Sequence, residues 1–260
     1  MRKLVLLSFV VALASAASAT TIFHDDFESY ASQAAFETAW PRIGATDATV
    51  WTTDQAHSPT HSIKALTTVN LVGGNYHNFG ASVGPTDDQP VTAEWWMYYV
   101  AGGTRHYNEM RSYSGGVYNS GTLNQLVAIG WNNGTDVKVD PNGVAEPFQG
   151  TKFQARVTAG GYFAAGSWFN LNEPNCPNRS AGWHKFDAVM TAHTLKIYVD
   201  DVLGRSLTGT GSNSAYDDVV LGSRYTSGGI ASYSDDFLVT QTPEPAALAL
   251  LALGFVLRRR

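Results

Sequence analysis

Cysteine is almost missing from this sequence. One of its 260 residues is Cys, Cys176, and a lone thiol closes no internal disulfide, which excludes a small secreted scaffold stapled by bridges. With no motif around it, Cys176 reads as a loop residue rather than a nucleophile. Charge is also scarce. Asp, Glu, Lys and Arg make up 15% of the chain, the net charge is -5, and no interior stripe of Lys and Arg occurs, so no nucleic-acid partner is expected. Gly-x-Ser-x-Gly elbows, phosphate loops and Cys-x-x-Cys pairs are absent, and no long amphipathic helix can be traced. What is present is a hydrophobic fraction of 44%, enough for a substantial core. Short apolar runs alternate with Gly, Ser, Thr and Asn, the composition of a turn-rich, exported all-β chain.

The clearest strands lie around Gly182–Met190 and Leu195–Leu203. Phe186, Ala188 and Met190 share one face of the first. In the second, Leu195, Ile197 and Val199 alternate with Thr194, Lys196 and Tyr198. Such period-2 patterns mark half-buried antiparallel strands, with turns at Ala192–His193 and Asp200–Asp201. Further strands are read at 22–28, 50–52, 62–66, 91–100, 126–131, 136–139, 152–157, 219–222 and 232–239. A short helical turn over 31–40, with Phe36 and Trp40 spaced four apart, is stopped by Pro41. No linker divides residues 20–241, so the expected fold is one all-β, two-sheet antiparallel sandwich or jelly roll.

Both ends read as addresses. Met1-Arg2-Lys3, an apolar run over Leu4–Ala14 and the small residues Ala17-Ser18-Ala19 make a secretory signal peptide over 1–19, cut after Ala19. At the other end, within residues 242–260, Pro243-Glu244-Pro245 precedes a short apolar helix, Ala246–Leu257, and then Arg258, Arg259 and Arg260. The apolar run is shorter than the ~20 residues of an ordinary span, and the arginines would hold its end on the cytoplasmic side. This order resembles the PEP-CTERM sorting signal of Gram-negative bacteria. The resemblance implies transient inner-membrane anchoring, removal of the tail by an exosortase, and release to the cell surface or extracellular matrix of a biofilm.

A second resemblance spans most of the mature chain. Gly182-Trp183-His184 with Tyr198-Val199-Asp200, and the flanking Asp25-Asp26-Phe27-Glu28 and Asp235-Asp236-Phe237, resemble LamG-like, concanavalin A-like domains of exported bacterial proteins. This chain has Asp201 where that family has glycine in the turn. Glycosidases on such sandwiches carry acids on one strand as E-x-D-x-x-E, one acting as nucleophile and another as acid/base. No such run exists here: Glu94, Glu109, Glu146 and Glu173 each lack an acidic partner at strand spacing. A non-enzymatic polysaccharide-binding protein is therefore expected, a glycan-active enzyme or a purely structural envelope component being the alternatives. Acids on separate strands remain free to meet.

Two groups of side chains stand out as candidate sites. First and last strands of a sandwich often lie side by side, so Asp25, Asp26, Asp235 and Asp236 would be brought together. Converging carboxylates with backbone carbonyls suit a structural Ca²⁺, a metal that the family resemblance also implies. The alternative is solvated acids on edge strands. The aromatic set Trp95, Trp96, Tyr98, Tyr99 and Trp131 forms the expected ligand-binding surface, flat rings being suited to stack on sugars. Only one of Trp95 and Trp96 can face outward. Scattered histidines, with Pro59 between His57 and His61, make no helical metal pair, and His184 is expected to stabilise its own turn or strand edge.

Overall fold

A computed structural model describes residues 19–43, 49–65, 74–103, 105–133, 138–139, 143–147, 149–159, 168–209, 214–222 and 230–242. The expected signal peptide up to Ser18 and the sorting tail Pro243–Arg260 lie outside these residues. In chain order the elements are β1 (Thr20–Asp25), α1 (Gln33–Ala39), β2 (Val50–Thr52), β3 (Ser62–Ala65), β4 (Asn75–Val83), β5 (Val91–Tyr99), β6 (Arg105–Tyr113), β7 (Leu123–Asn132) and β8 (Lys138–Val139). They continue with β9 (Ala145–Glu146), β10 (Gln154–Ala159), β11 (Phe169–Asn170), β12 (Gly182–Met190), β13 (Thr194–Val199), β14 (Val202–Thr208), β15 (Tyr216–Leu221) and β16 (Ser232–Gln241).

The strands build two antiparallel sheets and one small ribbon. An eight-stranded sheet runs β14-β13-β12-β5-β16-β3-β2, with β1 added against β16, and a six-stranded sheet runs β11-β10-β7-β6-β15-β4. Their facing sides meet in one apolar core. Trp95 of β5, stacked on Phe237 at 5.4 Å, packs with Met97, Phe186 and Ile197 against Met110, Val127, Ile129, Trp131 and Val219 from the other sheet. This is the jelly-roll β-sandwich that the alternation of β12 and β13 predicts. Burial along β5 alternates residue by residue, with Val91, Ala93, Trp95 and Met97 buried, because period 2 sends neighbours to opposite faces.

Local chemistry fixes the corners. Ser32 caps α1 by accepting from the Ala35 N–H at 3.2 Å. Phe36 and Trp40 are both fully buried, and the Trp40 indole donates to Asp25 at 2.7 Å. The β13–β14 hairpin turns through two residues of positive φ, Asp200 at 50° and Asp201 at 64°, as the tight hairpin turn with both central residues left-handed requires. Asp serves there without glycine. Its neighbour Asp200 is held by the Lys185 N–H at 2.9 Å and the His184 ring at 2.7 Å. Polar side chains bridge the two sheets where Asn108 donates to Ser234 at 3.0 Å beside His106. Burial pushes the His106 imidazole down to about 3, so it stands neutral between the sheets.

Candidate functional site

Antiparallel registration places two rows of side chains across the outer face of the six-stranded sheet. One row runs Tyr76, Val220, Glu109, Ala128, Arg156; the next runs Asn78, Asp218, Arg111, Leu126, Thr158. A sheet's outer face ordinarily meets water, yet the centre of this one is buried. Exposure is 3% at Glu109, 4% at Arg111 and 0% at Asp218, whereas Arg156 at the margin is exposed. The charged residues thus lie in a closed-over recess of that face, covered from solvent. Its walls are aromatic: Tyr118 stacks on Tyr76 at 4.8 Å and meets Tyr113 edge-on at 5.4 Å, and Trp168 leans on Tyr107 at 4.8 Å.

The electrostatics of the recess are unevenly satisfied. Arg111 pairs with Glu109, donates to the Tyr113 hydroxyl at 2.7 Å and lies 5.4 Å from the centre of the Tyr118 ring. Against the cost of burial, the Glu109 charge holds the guanidinium firmly protonated. Burial pushes Asp218 up to about 6, with Asp217 adding like charge, although the Asn78 amide at 3.0 Å favours the anion. Seven buried side-chain atoms lack a partner among the described residues, and Nε of Arg111, Oδ1 of Asp217 and Oδ2 of Asp218 are three of them. Arg111 and Asp218 are direct cross-strand partners, so an unpaired donor and an unpaired acceptor sit side by side. Such orphans are costly unless something fills them.

The expected sugar-stacking aromatics divide between core and surface. Trp95 and Trp131 are fully buried, and Tyr99 points inward against Trp131 and Phe153 at 5.0 and 6.1 Å. These three are corrected from ligand candidates to core residues, because the alternation of β5 and β7 turns them toward the opposite sheet. Trp96 and Tyr98 point out from the eight-stranded sheet beside Trp183 and Tyr233. There Trp96 is already covered by the His57 ring, stacked at 3.7 Å. The acids on this face satisfy one another. Glu94 lies directly opposite Asp187, and Lys185 reaches Asp187 at 3.6 Å, Glu94 at 3.9 Å and Asp201.

The four aspartates expected to share Ca²⁺ are brought to one corner, since β1 pairs with β16, but they do not form the cage themselves. Asp25 is turned inward and used by the Phe27 N–H, the Tyr30 hydroxyl and the Trp40 indole, and Asp236 binds the His57 ring at 2.5 Å. Among the described residues no three His, Cys, Asp or Glu side chains converge on a metal position. A different oxygen set does converge, around the Ser58 hydroxyl. The Asp26 carbonyl lies at 3.0 Å, Glu28 Oε1 at 3.1 Å, the His61 carbonyl at 2.9 Å and both Asp235 oxygens at 3.0 Å. One hydroxyl proton satisfies one of these five acceptors. Carboxylates, carbonyls and a hydroxyl are the oxygen types that a hard cation takes, and here they are gathered about the Ser58 hydroxyl, which stands at their centre. Glu28 is ionised there: desolvation raises it, but donors from the His61 and Thr60 side chains and backbone together outweigh that and hold it down to about 2. Burial pushes Asp235 up to about 6, a cost that a bound cation would offset.

A serine–histidine–aspartate arrangement appears at Ser180, His184 and Asp200, with Ser180 Oγ 3.2 Å from Nε2 and Asp200 2.7 Å from Nδ1. It is not a nucleophile's triad. Nε2 lies closer to the Ser180 carbonyl, at 2.8 Å, so both ring nitrogens face acceptors. Burial acts against the charge, but Asp200 and that carbonyl outweigh it and raise the imidazole above its ordinary pKa. With Nε2 turned to the Ser180 carbonyl and Nδ1 to Asp200, the ring has no nitrogen left to take a serine proton. His184 clamps its own hairpin. Burial likewise raises the Cys176 thiol to about 11, which leaves it an unreactive packing residue.

No protein-family model matches this chain, and no curated protein does. Solved structures do match in shape. The cellulose-induced protein Cip1 aligns at 13% identity with a TM-score of 0.52, over 84% of this chain and 96% of its own. A Bacillus subtilis protein of unknown function with a galectin-like fold aligns at 7% and 0.51, over 86% and 97%. A carbohydrate esterase of the Shiga toxin-encoding bacteriophage phi24B aligns at 12% and 0.51, over 87% and 100%. At such identities the likeness concerns the fold: this chain carries a galectin-like jelly-roll β-sandwich.

Proposed function

We propose that this is an exported, surface-sorted protein whose jelly-roll domain engages a polysaccharide in the recess on the six-stranded sheet. One observation carries the reading: the orphaned Arg111 Nε and Asp218 Oδ2 lie on directly paired residues at the bottom of a tyrosine-walled face. A sugar hydroxyl is both acceptor and donor, so one hydroxyl can accept a hydrogen bond from the Arg111 Nε–H and donate one to Asp218 Oδ2. Tyrosine rings offer the flat apolar area on which a pyranose face packs. Names of structures with this fold, a cellulose-induced protein and a carbohydrate esterase, belong to the same chemistry.

Export follows from the signal peptide over 1–19, and sorting from Pro243-Glu244-Pro245 with Arg258, Arg259 and Arg260. The chain is anchored transiently in the inner membrane and then cut by an exosortase. Ca²⁺ at the Ser58 cage is structural in this reading and takes no part in binding. Affinity electrophoresis of the mature domain through gels containing single polysaccharides tests the binding. At least one glycan should retard the wild type and release Tyr118→Ala. A chain unretarded by every glycan would return it to the structural envelope reading. If Trp96→Ala rather than Tyr118→Ala abolishes retardation, the eight-stranded sheet is the binding face. Intact mass of protein recovered from the surface tests the sorting: chains still ending at Arg260 would remove the exosortase.

A further inference from the structure

We propose that the β6–β7 loop, residues 114–121, is a hinged cover that lifts to admit the polysaccharide and then sets Tyr118 down upon it. The device rests on the binding reading of the same recess. The floor is closed in the free protein: Glu109 is 3% exposed, Arg111 4% and Asp218 0%. A glycan reaches the orphaned atoms of Arg111 and Asp218 only after something above them moves. Above Arg111 lies the Tyr118 ring, 5.4 Å from the guanidinium, and its loop is built to move as one piece.

The loop is closed on itself. The Ser114 N–H donates to the Thr122 carbonyl at 2.9 Å, the Gly115 N–H to the Ser120 carbonyl at 2.9 Å and the Ser120 N–H to the Val117 carbonyl at 3.0 Å. The Ser114 hydroxyl accepts from the Thr122 N–H at 2.9 Å. These bonds lie within the loop or across its neck, so lifting the loop on that neck breaks none of them. Below the neck the β6–β7 register shifts between Ser112 and Tyr113, the kind of irregularity at which a strand bends. Residues 114–117 and 119 are exposed, while the half-buried Tyr118 is turned toward the floor and stacks on Tyr76 at 4.8 Å. Polar latches add to that footing. The Asn78 amide donates to the Gly116 carbonyl at 2.9 Å, and the Tyr118 N–H is hydrogen-bonded to the Asp218 carboxylate. One apolar anchor under a largely exposed loop belongs to the easily opened end of a fold.

The closed shape depends on left-handed backbone. Gly116, Asn119 and Gly121 have φ of 73°, 59° and 76°, and glycine at two of the three keeps that shape free of strain. A Cβ at Gly121 would also stand 2.3 Å from the Ser114 hydroxyl, whereas one at Gly116 meets nothing within 4 Å. Alanine at either position therefore penalises the closed loop while leaving the side chains of the floor untouched.

The test reads opening without any glycan. Phenylglyoxal labelling of Arg111 is followed by peptide mass at rising urea, and iodoacetamide labelling of Cys176, in the apolar core, reports unfolding. Lifting a short loop exposes little surface and unfolding exposes most of it. Arg111 labelling should therefore stay nearly flat through low urea while Cys176 labelling climbs. Without urea, Gly121→Ala should raise the Arg111 rate about 5–30-fold, the factor that a left-handed non-glycine residue costs the closed state. Arg156, exposed on the same face, should label as before. Gly116→Ala, strained by φ without a clash, decides if Gly121→Ala misfolds. Affinity electrophoresis in hydroxyethylcellulose, laminarin, xylan and alginate runs in parallel, and a polysaccharide that retards the chain should slow Arg111 labelling. Arg111 labelling that climbs in step with Cys176, while a polysaccharide still retards the chain, overturns the cover and leaves the binding reading intact. An Arg111 rate unmoved by both glycine variants also overturns the cover. Retardation by none of the four overturns both.

Discussion

The two outer faces of the sandwich hold similar residues in opposite states. On the eight-stranded sheet Glu94, Asp187 and Asp201 surround Lys185, and His57 already stacks on Trp96. The charges around Lys185 answer one another, and the Trp96 ring is occupied. On the six-stranded sheet Glu109, Arg111 and Asp218 are more deeply buried and less completely paired. Burial raises the cost of each missing partner, so the incomplete face is the one that has something to gain from a ligand. Exposed aromatics are the weaker clue, and buried polar atoms without partners the stronger one.

The sharpest way to break this comparison is at adjacent tryptophans. Trp95 lies in the core, stacked on Phe237, and Trp96 lies outside under His57. Trp95→Ala should cost ~3–5 kcal/mol, measured by urea unfolding. Trp96→Ala, which loses a half-exposed stack, should cost less than ~1.5 kcal/mol. Equal costs would mean that the outer face of the eight-stranded sheet is covered as fully as the core.

The calcium corner gives the next largest effect. Ca²⁺ at tenfold to hundredfold above its Kd should stabilise by ~1.4–2.7 kcal/mol, and a chelator should remove the gain in a calorimetric melt. Glu28→Gln and Asp235→Asn should abolish the response. Asp236→Asn should keep it, because that carboxylate is held by His57 and lies outside the Ser58 cage. A calcium response lost in Asp236→Asn but kept in Glu28→Gln would restore the four-aspartate site.

The acids of the eight-stranded face should also show in the pH dependence of stability. Burial raises Asp187 to about 7; Lys185 opposes the shift, and Glu94 adds to it. The folded pKa therefore lies above the unfolded value, the native state binds the extra proton, and the stabilisation present at low pH is lost as pH rises through about 7. Melting temperature in chelator should fall from pH 5 to pH 8, and Asp187→Asn should flatten the upper part of the fall. A variant that falls as steeply as the wild type between pH 6 and 8 would show that Lys185 neutralises the site.

How much of this was legible in the sequence follows from where polarity is buried. Strands β5, β12 and β13 alternate, so their faces could be read, and the pairing of β1 with β16 followed from a common habit of sandwiches. Strand β6 was missed altogether. Arg-His-Tyr-Asn-Glu-Met-Arg-Ser-Tyr carries polar residues on both faces, because His106 and Asn108 serve the inter-sheet cluster while Glu109 and Arg111 floor the recess. Period-2 hydrophobicity cannot show a strand whose two faces are both polar. Strand β4 was missed for a related reason, being edge-placed and rich in Asn, Gly and His. The signal that could have found β6 is its regular interleaving: Tyr107, Glu109, Arg111 and Tyr113 fall on one face two residues apart. For the cation corner the acids were in view, but Ser58 and the carbonyls of Asp26 and His61 carry no sequence signature.

The smallest effect separates the two faces by binding alone. Tyr118 walls the recess through its contacts with Tyr76 and Arg111, and Tyr98 is its counterpart on the eight-stranded sheet, edge-on to Trp183 and Tyr233. Tyr118→Ala should weaken polysaccharide retention by ~0.5–1.5 kcal/mol, the worth of one aromatic stack beyond its area, or about twofold to twelvefold in apparent affinity. Tyr98→Ala should leave retention unchanged, since its face holds no orphaned donor or acceptor among the charged residues around Lys185. Both variants remove a partly exposed ring from outside the core, so neither melting curve should move far and retention can be compared directly. Weaker retention in Tyr98→Ala with no change in Tyr118→Ala would move the glycan to the eight-stranded sheet. The orphaned atoms of Arg111 and Asp218 would then have to be answered by water.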